Sequence, residues 1–115
     1  MAIWSDTLSI REFNDMVNGC RYYAEHYAGI ASPADIRLSK KAVEDVLAFA
    51  YVKDGGVRDG YVTGNVHIKI KDYLYKWLIR GEMWADKVSG TDVYVDYSGM
   101  LAERHEAYRC KNTGK

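Results

Sequence analysis

Histidines that could act as acids or bases are the first feature of this sequence with chemical potential. His105 lies in Glu103-Arg104-His105-Glu106, and a histidine beside carboxylates can serve as a general base. On a helix, however, adjacent side chains point to different sides, so neither glutamate is well placed to orient the ring. A catalytic role for His105 is therefore not favoured.

A second histidine stands in an alternating stretch, residues 66–71, which reads VHIKIK. In a strand His67, Lys69 and Lys71 share one face, which could bind a phosphate or perform ribonuclease-like acid and base chemistry. A solvated strand face explains the same residues more simply. A small hydrolase or nuclease using His67 or His105 is consequently the third of three functional hypotheses.

The two cysteines, Cys20 and Cys110, are far apart and have no CxxC spacing. Cys20 lies on the apolar stripe of a predicted helix, where a cysteine behaves as a small hydrophobe. Because the start of the sequence has no secretion signal, both are expected to be free thiols. No HExxH, EF-hand, P-loop or GxGxxG motif occurs, so we predict no metal and no cofactor.

Aromatic residues are the unusual feature, with ten tyrosines and three tryptophans in 115 residues. Tyrosine and tryptophan bury a large area at little entropic cost and carry a polar tip, so they dominate binding hot spots. Trp77 is predicted to lie in the core. Six residues are predicted to contact a partner. Tyr22 and Tyr94 are aromatics on polar faces and are expected to be exposed. The other four lie in the segment DYLYKWLIRGEMW, residues 72–84: Tyr75, Lys76, Arg80 and Trp84.

Two N-terminal helices are predicted from start signals. Residues 9–12, Ser-Ile-Arg-Glu, form a capping box, and apolar residues then recur at helical spacing until Gly29 closes the first helix. Ser32 followed by Pro33 starts the second. That element is either one helix over 33–53 or a turn followed by a helix from about residue 40, and Gly55-Gly56 ends it.

The predicted sheet is formed from residue 57 onward. Residues 66–71 and 92–97 each alternate between apolar and polar side chains, as half-buried strands do. If the two strands are neighbours, their charged residues pair across the ladder, Lys69 and Lys71 with Asp92 and Asp96. The glycine-rich stretch GGVRDGYVTGN is interpreted as turns.

Residues 72–84 fit two structures. As a strand, one face carries Tyr73, Tyr75, Trp77 and Ile79; as a helix capped by Asp72, the buried stripe is Leu74, Trp77, Leu78, Gly81 and Ala85. Propensity does not choose between them, because the aromatics favour strand and the flanks favour helix. A last helix begins at Ser98 and places on one face Leu101, His105 and Tyr108.

Length and charge limit the range of functions. The 115 residues are expected to form a single domain, 1–115, and 16 basic residues balance 16 acidic ones, so no overall field attracts nucleic acid or membrane. Without a signal peptide or an apolar run of about 20 residues, we expect a cytoplasmic protein that does not contact membranes.

The predicted fold is α+β, with two N-terminal helices packed on a small, mainly antiparallel sheet and a C-terminal helix. Because no catalytic set is assembled, we expect a non-enzymatic protein-protein interaction module with a protein partner, and homodimerisation is compatible with this. Small inhibitors of host defence proteins encoded by phages or mobile elements, such as anti-CRISPR proteins, share this profile. Such inhibitors act by occluding a functional surface of their target. The comparison with them rests on the overall profile of the sequence and on no motif.

The alternative hypothesis is a single-stranded nucleic-acid-binding protein. Its aromatic and basic sheet face would stack Tyr73, Tyr75 or Trp77 on bases, and four cations would neutralise phosphates: Lys69, Lys71, Lys76 and Arg80. The zero net charge disfavours this hypothesis for the chain as a whole.

Overall fold

A computed structural model describes residues 3–53, 55–88 and 94–112. The helices are α1 (Ile10–His26), α2 (Pro33–Phe49), α3 (Asp72–Met83), α4 (Ala85–Val88) and α5 (Ser98–Asn112). The strands are β1 (Ile3–Ser9), β2 (Tyr51–Val52), β3 (Gly56–Arg58), β4 (Tyr61–Thr63) and β5 (Asn65–Lys71). Helices packed against an antiparallel sheet confirm the α+β class.

The central strand of the main sheet is β5, which lies between β1 and β2 and is antiparallel to both. Two of the three strands therefore precede residue 57, and the prediction that the sheet forms only from that residue onward is wrong. The first strand escapes sequence analysis because Ser5, Asp6 and Thr7 are three consecutive polar residues, which hide the period of two.

The prediction of a second strand over residues 92–97 is wrong for the part of that range that the structure describes. Residues 94–97 have no ladder partner, while Asp92 and Val93 lie outside the described residues. Lys69 and Lys71 are opposite Ser5 and Ile3 of β1, and Asp96 accepts from Asn14 and Ser98, so the predicted ladder pairing of the lysines with Asp96 is also wrong; the part that concerns Asp92 lies outside the described residues.

Two asparagines of α1 take the place of a neighbouring strand for residues 94–97. The side-chain oxygen of Asn18 accepts from the backbone N–H of Val95 at 2.9 Å, and its Nδ2 donates to the carbonyl of the same residue at 2.7 Å. Asn14 accepts from the N–H of Tyr97 at 2.9 Å. The alternating sequence thus belongs to a segment outside any strand, whose backbone hydrogen bonds at Val95 and Tyr97 are made by side-chain amides.

Asp96 connects this segment to the start of α5. One carboxylate oxygen accepts from Nδ2 of Asn14 at 3.0 Å and from the backbone N–H and hydroxyl of Ser98 at 2.9 and 2.6 Å. The hydrogen bonds from Ser98, with that from Asn14, hold the pKa of Asp96 below its usual value of 3.8. Ser98 begins α5 as predicted, Leu101 is buried and His105 is half-buried, while the side chains of Tyr108 and Cys110 lie outside the described part.

The start signals of both N-terminal helices are confirmed. At the start of α1, the hydroxyl of Ser9 accepts from the N–H of Glu12 at 3.1 Å, and the Glu12 carboxylate accepts from the N–H of Ser9 at 2.9 Å. The second helix is continuous from Pro33. It ends at Phe49 rather than at the predicted glycine pair, because the chain enters β2 directly.

Residues 72–83 are helical, so the helix alternative is confirmed for the segment that fitted two structures. Its buried residues are Leu74, Trp77, Leu78 and Gly81, and Lys71 occupies the N-cap position in place of Asp72. The glycine-rich stretch before β5 contains a turn at Asp59-Gly60, where both residues have positive φ, 55° and 82°. Contrary to the interpretation as turns alone, the residues on either side pair as β3 and β4.

The core lies between the inner face of the main sheet and the helices. The strand β5 contributes Val66, Ile68 and Ile70, and the helices contribute residues from three sides: Phe13, Val17, Val46, Leu74, Leu78 and Leu101. Trp77 is 7% exposed, which confirms its predicted core position. Within the described ranges, no helix is long and apolar enough to cross a membrane.

Candidate functional site

Two glycines allow α1 and α3 to touch through their backbones. A side chain at Gly19 would collide with the carbonyl group of Gly81, and a side chain at Gly81 would collide with the carbonyl oxygen of Met16 and lie 2.8 Å from the sulfur of Cys20. Only residues without a Cβ permit so close an approach. The crossing brings together the residues that follow each glycine by about one turn.

Trp84, three residues beyond Gly81, meets the tyrosines of α1. Its ring centroid lies 6.3 Å from that of Tyr22, 5.5 Å from that of Tyr23 and 4.7 Å from that of Tyr27. Tyr23 also lies 5.7 Å from the buried ring of Trp77. Each of these contacts has the separation at which aromatic pairs attract, so the cluster is a rigid feature of the surface.

Arg80 and Met83 extend this cluster towards solvent. The Arg80 guanidinium lies 4.5 Å from the centroid of the Trp77 ring, in a cation–π contact. Met83 is 77% exposed, and Tyr23, Arg80, Met83 and Trp84 line a shallow groove. We call the whole set the aromatic surface: Tyr22, Tyr23, Tyr27, Arg80, Met83 and Trp84.

Three of the six predicted contact residues meet on the aromatic surface, namely Tyr22, Arg80 and Trp84. Lys76 is exposed and precedes Arg80 by four residues, on the same side of α3. Tyr22 is half-buried, which corrects the expectation that it is exposed, because its ring stacks on His26 with centroids 4.0 Å apart.

Tyr75 and Tyr94 have contacts of other kinds. Tyr75 is half-buried and packs against the core. Tyr94 is exposed, as predicted, and its hydroxyl donates to the Asp15 carboxylate at 3.4 Å; partial burial and this negative neighbour raise the pKa of Tyr94. Contact roles for these two tyrosines stay predictions.

Sequence analysis missed Tyr23, Tyr27 and Met83 as members of the surface. Their spacing contained a signal, since Tyr23 and Tyr27 are four residues apart and Met83 follows Arg80 by three, which places each pair on one helix side. The signal could be used only once residues 72–83 were known to be helical. The same helix removes the sheet face on which Tyr73, Tyr75 and Trp77 were to stack on bases.

The histidines have contacts of other kinds. The Nδ1 atom of His67 lies 3.1 Å from the hydroxyl of Thr7, and its ring lies 5.1 Å from that of Tyr51. The Nδ1 atom of His26 lies 3.1 Å from the carbonyl oxygen of Tyr22. Among the residues that the structure describes, no three His, Cys, Asp or Glu side chains are grouped to hold a metal ion.

Comparisons with known proteins find no matching family model, no matching curated protein and no matching solved structure. Function must therefore be inferred from the chain's own geometry. The aromatic surface combines exposed apolar area, aromatic rings and an accessible cation.

Proposed function

We propose that the chain is a non-enzymatic protein-interaction module and that the aromatic surface is its contact face. The observation that carries the proposal is the Arg80 guanidinium, held on the ring of Trp77 beside the exposed Met83 and the half-buried Trp84. Tryptophan, tyrosine, arginine and methionine are the residues enriched in protein interfaces. A guanidinium already held by a ring loses less conformational entropy on binding than a mobile one.

Charge indicates the chemistry of the partner. Arg80 and Lys76 lie on the same side of α3, and within the described residues neither is paired with a carboxylate. Met83 and Trp84 supply apolar area next to them. The partner surface that fits is a carboxylate flanked by apolar side chains, with the carboxylate placed on Arg80. Binding would occlude that surface of the partner, which is how small inhibitors encoded by phages or mobile elements block host proteins.

Differential capture from the native host tests the proposal. Tagged wild-type protein, Arg80→Glu, Met83→Glu and the control Tyr61→Ala are used as baits at moderate salt, and the eluates are compared by mass spectrometry. Tyr61 is a suitable aromatic control, because it is 53% exposed and lies on β4, outside the aromatic surface. We expect one stoichiometric protein that wild type and Tyr61→Ala retain and that both charge variants lose.

The same binding must then be reproduced with purified components. We expect Arg80→Glu to raise the Kd by about 30-fold or more, which corresponds to about 2 kcal/mol and is the usual threshold for a hot spot. All variants must unfold cooperatively on heating, as expected for substitutions of the exposed Arg80, Met83 and Tyr61. Equal affinity of Arg80→Glu and wild type for the purified partner would contradict the proposal.

A further inference from the structure

The outer face of the main sheet carries a second surface. The side chains of Val66, Ile68 and Ile70 enter the core, so the alternate residues of β5 face away from it: His67, Lys69 and Lys71. Tyr51 of β2 is opposite His67 in the register. Phe49, the last residue of α2, lines a hollow together with Lys69.

Two adjoining hollows follow this face. One is lined by residues 48–51, Lys69 and Arg104, and the other by Phe49 and residues 69–71. Phe49 and Lys69 line both hollows, so the two hollows are neighbours on this face. The described lining contains three cations and two aromatic rings and no acidic side chain, and we call it the basic groove: Phe49, Tyr51, Lys69, Lys71 and Arg104.

Arg104 is held in place by one nitrogen and lacks a partner for another. Its Nη2 donates to the carbonyl oxygen of Ala48, whereas Nη1 is buried and has no hydrogen-bond partner among the described residues. A buried charged donor without a partner is unfavourable, because its lost hydration is not replaced. The positive charge of Arg104 lies in the lining of the groove, where it attracts an anionic group electrostatically.

The two rings indicate what else the ligand contains. Phe49 is 53% exposed and Tyr51 is 38% exposed, although both are large apolar side chains at the edge of a folded core. An exposed ring beside a lysine is the arrangement that binds nucleotides, since the ring stacks on a base and the cation neutralises the attached phosphate. An inorganic anion alone would make no use of Phe49.

We propose that the basic groove is a nucleotide-binding site, in which Lys69 and Arg104 contact the phosphate and Phe49 or Tyr51 stacks on the base. A free mononucleotide and the nucleotides of a single strand share this chemistry. The site is independent of the aromatic surface, because the two have no residue in common.

Fluorescence anisotropy at low salt tests the site directly. The probe is an end-labelled single strand of about eight nucleotides, and the competitors are an unlabelled mononucleotide, inorganic phosphate and a duplex of the same sequence. We expect Lys69→Gln and Arg104→Gln each to weaken binding by about 10-fold, and Phe49→Ala by about 5-fold or more. The control Lys87→Gln, an exposed lysine on α4, should bind like wild type.

The competitors distinguish the sources of the nucleotide. Displacement of the probe by the mononucleotide at the affinity of the strand itself supports a free nucleotide as ligand, and displacement only by unlabelled strand supports single-stranded nucleic acid. The site is overturned if the labelled strand does not bind at low salt, or if Lys69→Gln and Phe49→Ala bind it as tightly as Lys87→Gln does. Lys69 and Phe49 are exposed, so this comparison remains valid even if Arg104→Gln perturbs folding.

Discussion

Cys20 shows how packing determines the chemistry of a single atom. It lies in the helix crossing, 2% exposed, and its thiol donates to the carbonyl oxygen of Trp77 at 2.7 Å. Burial away from water disfavours the thiolate and raises the pKa of Cys20 to about 12. The prediction that this cysteine behaves as a small hydrophobe is confirmed, because the nucleophilic form is nearly absent at neutral pH.

We therefore expect Cys20 to resist thiol reagents in the folded protein. In a Cys110→Ser background at about pH 8, only about one molecule in ten thousand would carry a thiolate at a pKa near 12. Labelling with a chromogenic disulfide should be negligible without denaturant and complete in it. Rapid stoichiometric labelling of the folded protein would contradict the burial of this side chain.

At the scale of elements, the contact between α1 and α3 depends on two residues with no side chain. We expect Gly81→Ala to destabilise the protein by about 2 kcal/mol or more, because the added methyl group collides with backbone of α1 and must separate the helices. Urea unfolding monitored by circular dichroism measures the change.

Gly99→Ala is the matched control for this substitution. Gly99 is also helical, and a methyl group there would lie 3.6 Å from the nearest atom of Tyr61, at ordinary contact distance. The control should be neutral or slightly stabilising, since alanine favours helix over glycine. Equal effects of the two substitutions would contradict the close crossing as the source of the cost.

The elements also show which parts of the fold follow from local sequence. Ser9 and Glu12 identify the start of α1 because their hydrogen bonds join residues three apart in the chain. Residues 72–83 were ambiguous because the apolar residues fit both periods, and only packing against α1 selects the helix. Residues 94–97 alternate as a strand does, but Asn14 and Asn18 bind them from about 80 positions away, and no local pattern reveals such a partner.

The candidate site likewise has one part that local sequence predicts and another that only the tertiary structure shows. Tyr22, Arg80 and Trp84 could be selected from the sequence by residue type, because large rigid side chains suit interfaces. That they lie together depends on the crossing at Gly19 and Gly81, which is a tertiary feature. For the basic groove, the alternation of β5 placed Lys69 and Lys71 on one strand face, but Arg104 joins them only through the packing of α5 near β2.

At the scale of the whole molecule, the two surfaces should act independently. Arg80→Glu should abolish capture of the protein partner and leave oligonucleotide affinity within about twofold of wild type. Lys69→Gln should weaken oligonucleotide binding and leave capture of the protein partner unchanged. The reason is that Arg80 packs on Trp77 in α3, whereas Lys69 lies on the outer face of β5. Both binding assays on both variants test this, and a joint loss in either variant would indicate one shared surface or a folding defect.

The asparagine contacts to residues 95–97 have a consequence for how the protein is made on the ribosome. Asn14 and Asn18 leave the exit tunnel early, but their partners, and the buried Tyr97, Leu101 and Ala102, are synthesised some 80 residues later. Until then the nascent chain exposes the face of α1 that Tyr97 covers, including Phe13, whose ring centroid lies 6.4 Å from that of Tyr97. Folding of this domain must therefore finish after translation of residue 102, and the incomplete chain is a natural client for chaperones that recognise exposed apolar helices.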